Sequence, residues 1–143
     1  MTVKAILSAK GSGVDTIEPN TNLAAAAKRL AERRIGALVV TGADRRVVGI
    51  LSERDIVQEL AVHGAAALDT PLADVMTRKV VTCSPADTVS SLMERMTQGK
   101  FRHLPVVEQG KLIGIISIGD VVKHRLEQME REQSALRDYI QTA

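Results

Sequence analysis

Apolar side chains recur along the chain in helical and strand-like patterns, and the same succession of patterns appears twice. Residues 23–30 and 89–96 both place apolar side chains at i, i+3, i+4 and i+7, the spacing of an amphipathic helix. These two windows lie 66 residues apart (89 − 23). Each is followed by a short apolar run, at 37–40 and at 103–107, of the kind that forms a buried strand. The pattern therefore predicts two copies of one α/β unit.

The boundaries of these elements carry helix-start signals. Thr21 and Asp87 each stand two residues after a proline, and we predict that they cap the two amphipathic helices. Thr70 followed by Pro71 predicts a short helix between the copies, because proline is favoured at the first helical position. Met93 falls on the apolar spacing of the second helix and is assigned to the core.

The most informative stretch is an apolar run that ends in Ser-x-x-Asp, and it also occurs twice. It occupies residues 49–55 and 114–120, so that each Ser and Asp lie where a strand meets a helix. One interpretation is a capping box, in which the two side chains satisfy the first turn of the helix. The other is a binding site, because the unpaired N–H groups and positive dipole end of a helix N-terminus attract an anion. In that case Ser would donate to a phosphate and Asp would accept from a ribose diol.

The C-terminal segment departs from the repeat by continuing as a long helix. Apolar residues from Val122 to Ile140 are spaced alternately by four and three, a coiled-coil-like seam that Gln133 interrupts. One interpretation is a long helix packed on its own domain. The other is a helix that pairs across a dimer or docks on a partner, since about six turns exceed the length of so small a fold.

Composition narrows the classes of function. The 143 residues carry a net charge of +2 and include one Phe, one Tyr and no Trp. With few aromatic platforms for stacking bases and no clustered basic face, the chain does not resemble a nucleic-acid binder. Cys83 is the single cysteine, so neither a disulfide framework nor a Cys-rich metal site is expected, and we predict a small buried residue there. No segment has the length of a membrane span and no signal peptide is evident, which predicts a cytoplasmic protein.

The repeated motifs resemble those of a tandem cystathionine-β-synthase (CBS) domain pair, also called a Bateman module. The resemblance is carried by Thr-x-x-Pro at 16–19 and 82–85, by residues 36–40 and 102–107, and by the two Gly-x-x-Ser-x-x-Asp runs. It implies an α/β fold of two βαββα repeats packed with approximate two-fold symmetry. In this chain a long C-terminal helix follows the pair.

Three segments are expected on this basis. We place the first repeat at 1–68, the second at 69–126 and the helical extension at 127–143. Each repeat is too small to bury enough surface alone, so the two are expected to share an interface.

The resemblance also implies a function. Family members bind adenosine-containing ligands such as AMP, ADP, ATP, NAD or S-adenosylmethionine in two clefts between the repeats, and they regulate other proteins. Such pairs usually form homodimers. The expected protein is thus a homodimeric regulatory sensor that acts in trans on another protein, whose identity the residues do not specify.

The expected clefts each combine residues of both repeats. Each takes its Ser-x-x-Asp from one repeat and its base-side contacts from the other. The first cleft would hold Ser52, Arg54 and Asp55 opposite Thr82, Cys83, Arg102 and His103. The second would hold Ser117 and Asp120 opposite Thr16, Ile17, Gly36 and Ala37.

These two clefts differ in charge. Arg54, Arg102 and a protonated His103 would surround a phosphate in the first, and charge-assisted hydrogen bonds from Arg are the stronger class. The second has Gly119 in place of Arg54 and no fixed cation of its own. Our hypothesis is that the first cleft binds the phosphorylated ligand, whereas the second binds a weaker or less charged one or stays empty.

Three other classes of function are alternatives to the sensor. A structural or adaptor protein with degenerate clefts would serve dimerisation through the C-terminal helix. Nucleic-acid binding is disfavoured by charge and composition. An enzyme is not expected, because the sequence offers no nucleophile–base pair, paired carboxylate or metal constellation.

Overall fold

The structure is a computed structural model that describes residues 1–142. Its helices are α1 (Val3–Lys10), α2 (Leu23–Arg33), α3 (Glu53–His63), α4 (Val89–Gly99) and α5 (Ile118–Thr142). Its strands are β1 (Thr16–Ile17), β2 (Ala37–Thr41), β3 (Val47–Ser52), β4 (His103–Glu108) and β5 (Lys111–Ser117). Short 3₁₀ turns lie at Ala43–Arg45, Gly64–Asp69 and Leu72–Asp74.

Two small sheets carry the two repeats. In the first, β2 lies between a parallel β1 and an antiparallel β3, and in the second β4 and β5 are antiparallel. Where the second repeat would have its first strand, a single parallel bridge joins Cys83 to Val106. Both hairpins shift register at equivalent places, after Val40 and after Val106 (106 − 40 = 66). The α/β fold of two βαββα repeats is confirmed, with the first strand of the second repeat reduced to that bridge.

Each repeat has its own core, and each core is completed by the segment that leads into the other repeat. Val3 and Ile6 of α1 are buried in the core of the second repeat, where the amide of Val3 donates to the carbonyl of Asp87 at 2.9 Å. Leu72 and Met76, from the segment that joins the repeats, are buried in the core of the first. Because each lead-in segment is buried against the opposite half, the halves are tied together. The domain boundaries stay a prediction, although α1 packs with the second repeat.

The caps of α2 and α4 lie one residue later than predicted. Asn22 and Thr88 cap these helices. The side chain of Asn22 accepts a hydrogen bond from the amide of Ala25 at 2.9 Å, and that of Thr88 accepts one from the amide of Ser91 at 3.1 Å. The prediction that Thr21 and Asp87 cap these helices is therefore wrong. The carboxylate of Asp87 instead accepts the amide of Ser84 at 2.8 Å, which closes the turn before the helix.

Two further local predictions need correction. A short helix does lie between the repeats, as a 3₁₀ helix at Leu72–Asp74, but it begins after Pro71 and Thr70 does not cap it. The amide of Leu72 donates to the carbonyl of Thr21 at 2.8 Å and holds this segment against the loop before α2. Met93 is 39% exposed, since Leu92 and Met96 already fill the buried stripe of α4.

Helix α5 extends well beyond the second core. It has 25 residues, and Val121 is its only buried one. Most of α5 therefore does not pack on the second repeat, contrary to the first of the two interpretations of this helix. Its exposed apolar side chains are Ile118, Val122, Leu126, Met129, Leu136, Tyr139 and Ile140. Within residues 1–142, no helix combines the length and apolarity needed to cross a membrane.

Candidate functional site

A cavity of about 900 Å³ lies where the two repeats meet, at the junction of β3 and α3. The first repeat contributes residues 52–55 to its lining, together with Gly36 and with Ala37, the first residue of β2. The second repeat contributes residues 99–103, and the joining segment contributes residue 77 and residues 79–81. Its volume falls in the range of small-molecule sites, about 300–1,000 Å³.

The first turn of α3 is closed by a capping box that also presents a carboxylate to the cavity. The amide of Ser52 donates to Asp55 Oδ2 at 2.9 Å, and the amide of Asp55 donates to Ser52 Oγ at 3.3 Å. The capping-box interpretation of Ser-x-x-Asp is confirmed here, and the binding interpretation stays a prediction that the cap does not oppose. The cap uses one carboxylate oxygen, and the half-buried Asp55 still faces the cavity with the other oxygen available as an acceptor.

Cationic side chains from both repeats surround the same cavity. Arg54, Lys79, Lys100 and Arg102 line it, and among residues 1–142 none of the four has an ion pair within 4.0 Å. The lining acids are Glu53 and Asp55, so the lining has a formal excess of two positive charges (4 − 2). The sequence showed no clustered basic face, because these residues come together only through the packing of the repeats.

Part of the lining of the cavity is apolar. Val80, Val81 and Phe101 line it together with Ile50 and Val57. Phe101, the chain's single phenylalanine, covers Gly99, where an added Cβ would overlap the ring. An apolar wall beside a cationic rim suits a ligand with a flat heterocycle at one end and negative charge at the other.

His103 lies at a close contact between the two repeats, beside Gly36. An added Cβ at Gly36 would stand 3.3 Å from its Cε1 and 3.1 Å from Oε1 of Glu53, so glycine is what allows this approach. Burial lowers the pKa of His103 below 6.5, and the attraction of Asp120 and Glu53 does not restore it. Burial therefore disfavours the protonated imidazole, and a contact of His103 with a phosphate stays a prediction.

The predicted residues divide into those that the cavity gathers and those that it does not. Gathered are Ser52, Arg54, Asp55, Arg102 and His103, together with Gly36 and Ala37, which the sequence had assigned to the second cleft. Outside its lining lie Thr16, Ile17, Thr82, Cys83, Ser117 and Asp120.

The residues outside the lining have structural contacts instead. Ile17 and Cys83 are buried in the two cores, and burial raises the pKa of the Cys83 thiol to about 12. The prediction of a buried Cys83 is confirmed. The carbonyl oxygen of Thr16 accepts a hydrogen bond from the side chain of Arg29 at 2.6 Å. In the same way, the carbonyl of Thr82 accepts one from Arg95 at 3.0 Å.

The second junction, between β5 and α5, repeats the cap and adds a cation. The amide of Ser117 donates to Asp120 Oδ2 at 2.9 Å, and the amide of Asp120 donates to Ser117 Oγ at 3.1 Å. Lys10 Nζ lies 2.6 Å from the same Oδ2 and donates to the carbonyl of Ile115 at 2.9 Å. The expectation that this junction lacks a cation is therefore wrong, because α1 crosses from the N-terminus to supply one.

The charge of Asp120 is stabilised by these contacts. Burial disfavours the charged carboxylate, but the hydrogen bond from Lys10, the amide of Ser117 and the charge of Lys10 together lower its pKa below 3.8. Its side chain is 22% exposed. The pair is thus partly shielded from water, where ion pairs are screened less than at an open surface.

Sequence reasoning missed several lining residues. Glu53, Lys79, Lys100 and Phe101 all face the cavity. Lys79 had a detectable signal, because it follows Met76 at the same distance by which Lys10 follows Leu7. Glu53 and Phe101 had none, since a single charged or aromatic residue beside a motif is common on any surface.

The chain belongs to the CBS domain family. The family's sequence model matches it twice, over residues 4–62 and 72–127. A curated relative, the mitochondrial CBS domain-containing protein CBSX3 of Arabidopsis thaliana, is 32% identical over 98% of this chain and 72% of its own length. Other Arabidopsis relatives are much longer, and this chain spans 21% of the CBSCBSPB5 protein.

Solved structures of CBS proteins superpose closely on this one. A CBS-domain-containing protein from Agrobacterium tumefaciens is 50% identical with a TM-score of 0.84, over 87% of this chain and 92% of that one. A CBS domain protein from Pyrobaculum aerophilum, complexed with AMP, is 28% identical with a TM-score of 0.75, over 84% and 89%. A CBS domain pair in complex with 5′-methylthioadenosine and S-adenosyl-L-methionine is 25% identical with a TM-score of 0.80, over 90% and 98%.

Proposed function

We propose that this chain is a regulatory module that binds a phosphorylated adenosine, of which AMP is the simplest, in the cavity between its repeats. The observation that carries the proposal is the group of four cationic side chains around that cavity, none of which is engaged by an acid of residues 1–142. Unpaired cations beside a helix N-terminus form a site ready for an anion.

Each part of such a ligand has a matching group. The ribose diol would donate to the free carboxylate oxygen of Asp55, and the base would lie against the apolar wall at Phe101. The phosphate would accept from Arg54 and Arg102, and Ser52 would donate to it from the start of α3. Both repeats contribute, so binding would bias the way in which they pack, provided that the ligand prefers one arrangement.

The charge of the cavity favours a nucleotide over an uncharged nucleoside. AMP and 5′-methylthioadenosine are each bound by a structural neighbour of this chain. Both offer an adenine and a ribose, but only AMP offers a group that the formal excess of two positive charges would hold. We therefore expect the order AMP, ADP or ATP before NAD, and S-adenosylmethionine, itself cationic, last.

Calorimetric titration of the whole chain with this panel tests the proposal. AMP is expected to bind, and Asp55→Ala is expected to weaken it about 10- to 100-fold, which is the loss of a hydrogen bond to a charged group. Because Asp55 also caps α3, the matched control is Thr88→Ala, which removes the cap of α4 far from the cavity. Equal losses of affinity in both variants, or no heat with any ligand, would contradict the proposal.

The adaptor remains a distinct candidate, and the exposed apolar seam of α5 favours it. We propose that the seam is covered by a second copy of this chain in a parallel pair. Arg125 and Glu130 flank the seam five residues apart, as do Glu132 and Arg137, which are the spacings that meet across a parallel coiled coil. Opposite charges would then face each other at every such contact, and Gln133 would meet its own copy.

The pairing is tested by sedimentation equilibrium. The wild-type chain is expected to be a dimer and Leu136→Asp a monomer, because a charge would enter the seam. Ser134→Asp, on the opposite face of α5, is the control and should stay dimeric. A wild-type monomer, or a Leu136→Asp dimer, would refute the pairing. A dimer that binds no nucleotide would favour the adaptor over the sensor, whose cytoplasmic location and regulated partner stay predictions.

A further inference from the structure

The segment that joins the two repeats runs beside the cavity between an anchor on each repeat. At one end, Thr77 exchanges two backbone hydrogen bonds with Ile50 of β3, both at 3.0 Å. At the other end, the amide of Cys83 donates to the carbonyl of Pro105 in β4 at 2.9 Å. Between these anchors lie residues 78–82, which we call the strap. In the part of the chain that the structure describes, the strap makes no backbone–backbone hydrogen bond, so it is held at its ends rather than along its length.

The middle of the strap forms part of the cavity wall. Residues 79–81 line the cavity and supply one of its four cations together with two valine side chains. Val81 is 43% exposed, so burial does little to hold it. A segment with few backbone hydrogen bonds and little burial opens at a low free-energy cost. Whatever fixes the strap from outside the cavity therefore also sets the position of this wall.

Arg95 of α4, which does not line the cavity, holds the end of the strap. Its Nη1 donates to the carbonyl of Thr82 at 3.0 Å and to Asp87 Oδ2 at 3.2 Å. The same carboxylate oxygen accepts the amide of Ser84 at 2.8 Å. That amide lowers the pKa of Asp87 below 3.8, against the effect of burial and with help from Arg95, so the carboxylate is charged at neutral pH. Arg95 thus ties the strap to the turn before α4.

We propose that Arg95 is a positioning residue for the nucleotide, because it fixes the strap that forms one wall of the cavity. This inference rests on the function proposed above. The first repeat contains the same bond away from the cavity, since Arg29 donates to the carbonyl of Thr16 at 2.6 Å and Thr16 lies outside the lining. Arg29 and Arg95 are 66 residues apart (95 − 29), as are the two threonines (82 − 16). Arg29 is therefore the matched control.

Limited proteolysis with trypsin reads how firmly the strap is held. Arg78 and Lys79 are exposed cleavage sites at its start, and the mass of the fragments identifies cleavage there. Without ligand, Arg95→Met is expected to be cleaved at these sites about 10-fold faster than the wild type, because the loss of a hydrogen bond from a charged group favours the open strap. Arg29→Met should be cleaved there at the wild-type rate. AMP at about 100 times its Kd should slow the cleavage of the wild type at least 10-fold.

Calorimetric titration with AMP reads the positioning of the nucleotide. Arg95→Met is expected to bind AMP about 10-fold more weakly than the wild type, and Arg29→Met is expected to stay within about twofold of it. Arg95→Lys keeps a charged donor and should recover most of the affinity. Arg95→Gln replaces the methionine variant if that variant does not fold. A role in stability alone would lower the free energy of unfolding of both methionine variants and leave their affinity for AMP unchanged, which would overturn the proposal.

The two measurements together separate this inference from the function on which it rests. Equal cleavage and equal affinity in Arg95→Met and Arg29→Met, or AMP that binds without slowing cleavage, would overturn the positioning role and leave the proposed function intact. Faster cleavage of Arg95→Met with no AMP bound by any of these proteins would overturn the proposed function, and the anchoring of the strap by Arg95 would stand. No difference in cleavage together with no binding would overturn both.

Discussion

The two strand-to-helix junctions began as near copies and now differ in how their aspartates are used. Asp55 and Asp120 both accept the amide of the preceding serine at 2.9 Å, so that the helix caps are the same. Around Asp55 the neighbouring cations stand apart and enclose a cavity. At Asp120 a lysine is bound directly to the carboxylate. The comparison teaches that both copies of a duplicated motif can keep the same helix cap while the residues around them change what each aspartate contacts.

The largest effect is expected from reversing one charge at the first junction. Arg102→Glu would remove a charge-assisted bond to phosphate and place a like charge near it, so AMP affinity should fall by at least about 100-fold. Lys111→Glu makes the same change of charge on an exposed lysine of β5. Calorimetry should show little change there, and equal losses in both variants would mean that only net charge matters.

Removing each aspartate in turn sharpens the comparison. Asp120→Ala is expected to leave AMP affinity within about twofold of the wild type, in contrast to Asp55→Ala, because Asp120 lies outside the cavity in which we propose that AMP binds. It should still lower the free energy of unfolding by about 1 kcal/mol, since it removes a helix cap and the partner of Lys10. Similar losses of affinity from both aspartates would break the distinction between the junctions.

Acid should destabilise the wild type through Asp120 at a pH that depends on Lys10. The pKa of Asp120 in the folded state lies below the ordinary 3.8. Asp120 therefore adds to the free energy of unfolding above pH 3.8, and this contribution is lost as the pH falls through the lower folded-state pKa. In Lys10→Met the loss should begin at higher pH, because burial then acts with less opposition. Urea unfolding across the acid range measures it. Asp87 is unchanged in both proteins, so its own contribution cancels in the difference.

Only a small loss of AMP affinity is expected from a change at the contact between the repeats. In Gly36→Ala the new methyl group would stand 3.1 Å from Glu53 Oε1 and 3.3 Å from His103 Cε1, so one of these side chains must move. AMP affinity should fall by about threefold. Gly13→Ala is the control, because nothing lies within 4 Å of its added Cβ. No difference between the two alanine variants would show that this contact does not shape the cavity.

Much of the site was predictable because it depends on local sequence. Ser52 and Asp55 are fixed by the end of a strand and the start of a helix, and an apolar run followed by Ser-x-x-Asp encodes both. Arg102 and His103 were assigned to the site through the resemblance to the CBS family, and His103 begins β4. Phe101 was missed because what it faces depends on how the repeats pack, which no local pattern encodes. Lys79 was missed although its spacing from Met76 matches that of Lys10 from Leu7, because that spacing does not say which surface it faces.

By itself the sequence determined the duplication, the α/β class, the positions of the strands and main helices, and the two helix caps with their aspartates. These follow from side-chain periodicity and from hydrogen bonds between residues only three apart. The tertiary structure alone decided that four separate cations surround one cavity, that burial lowers the pKa of His103, and that Lys10 reaches Asp120 across 110 residues of chain. Charge and burial depend on distances in space, and those distances are set only when each lead-in segment packs against the opposite repeat.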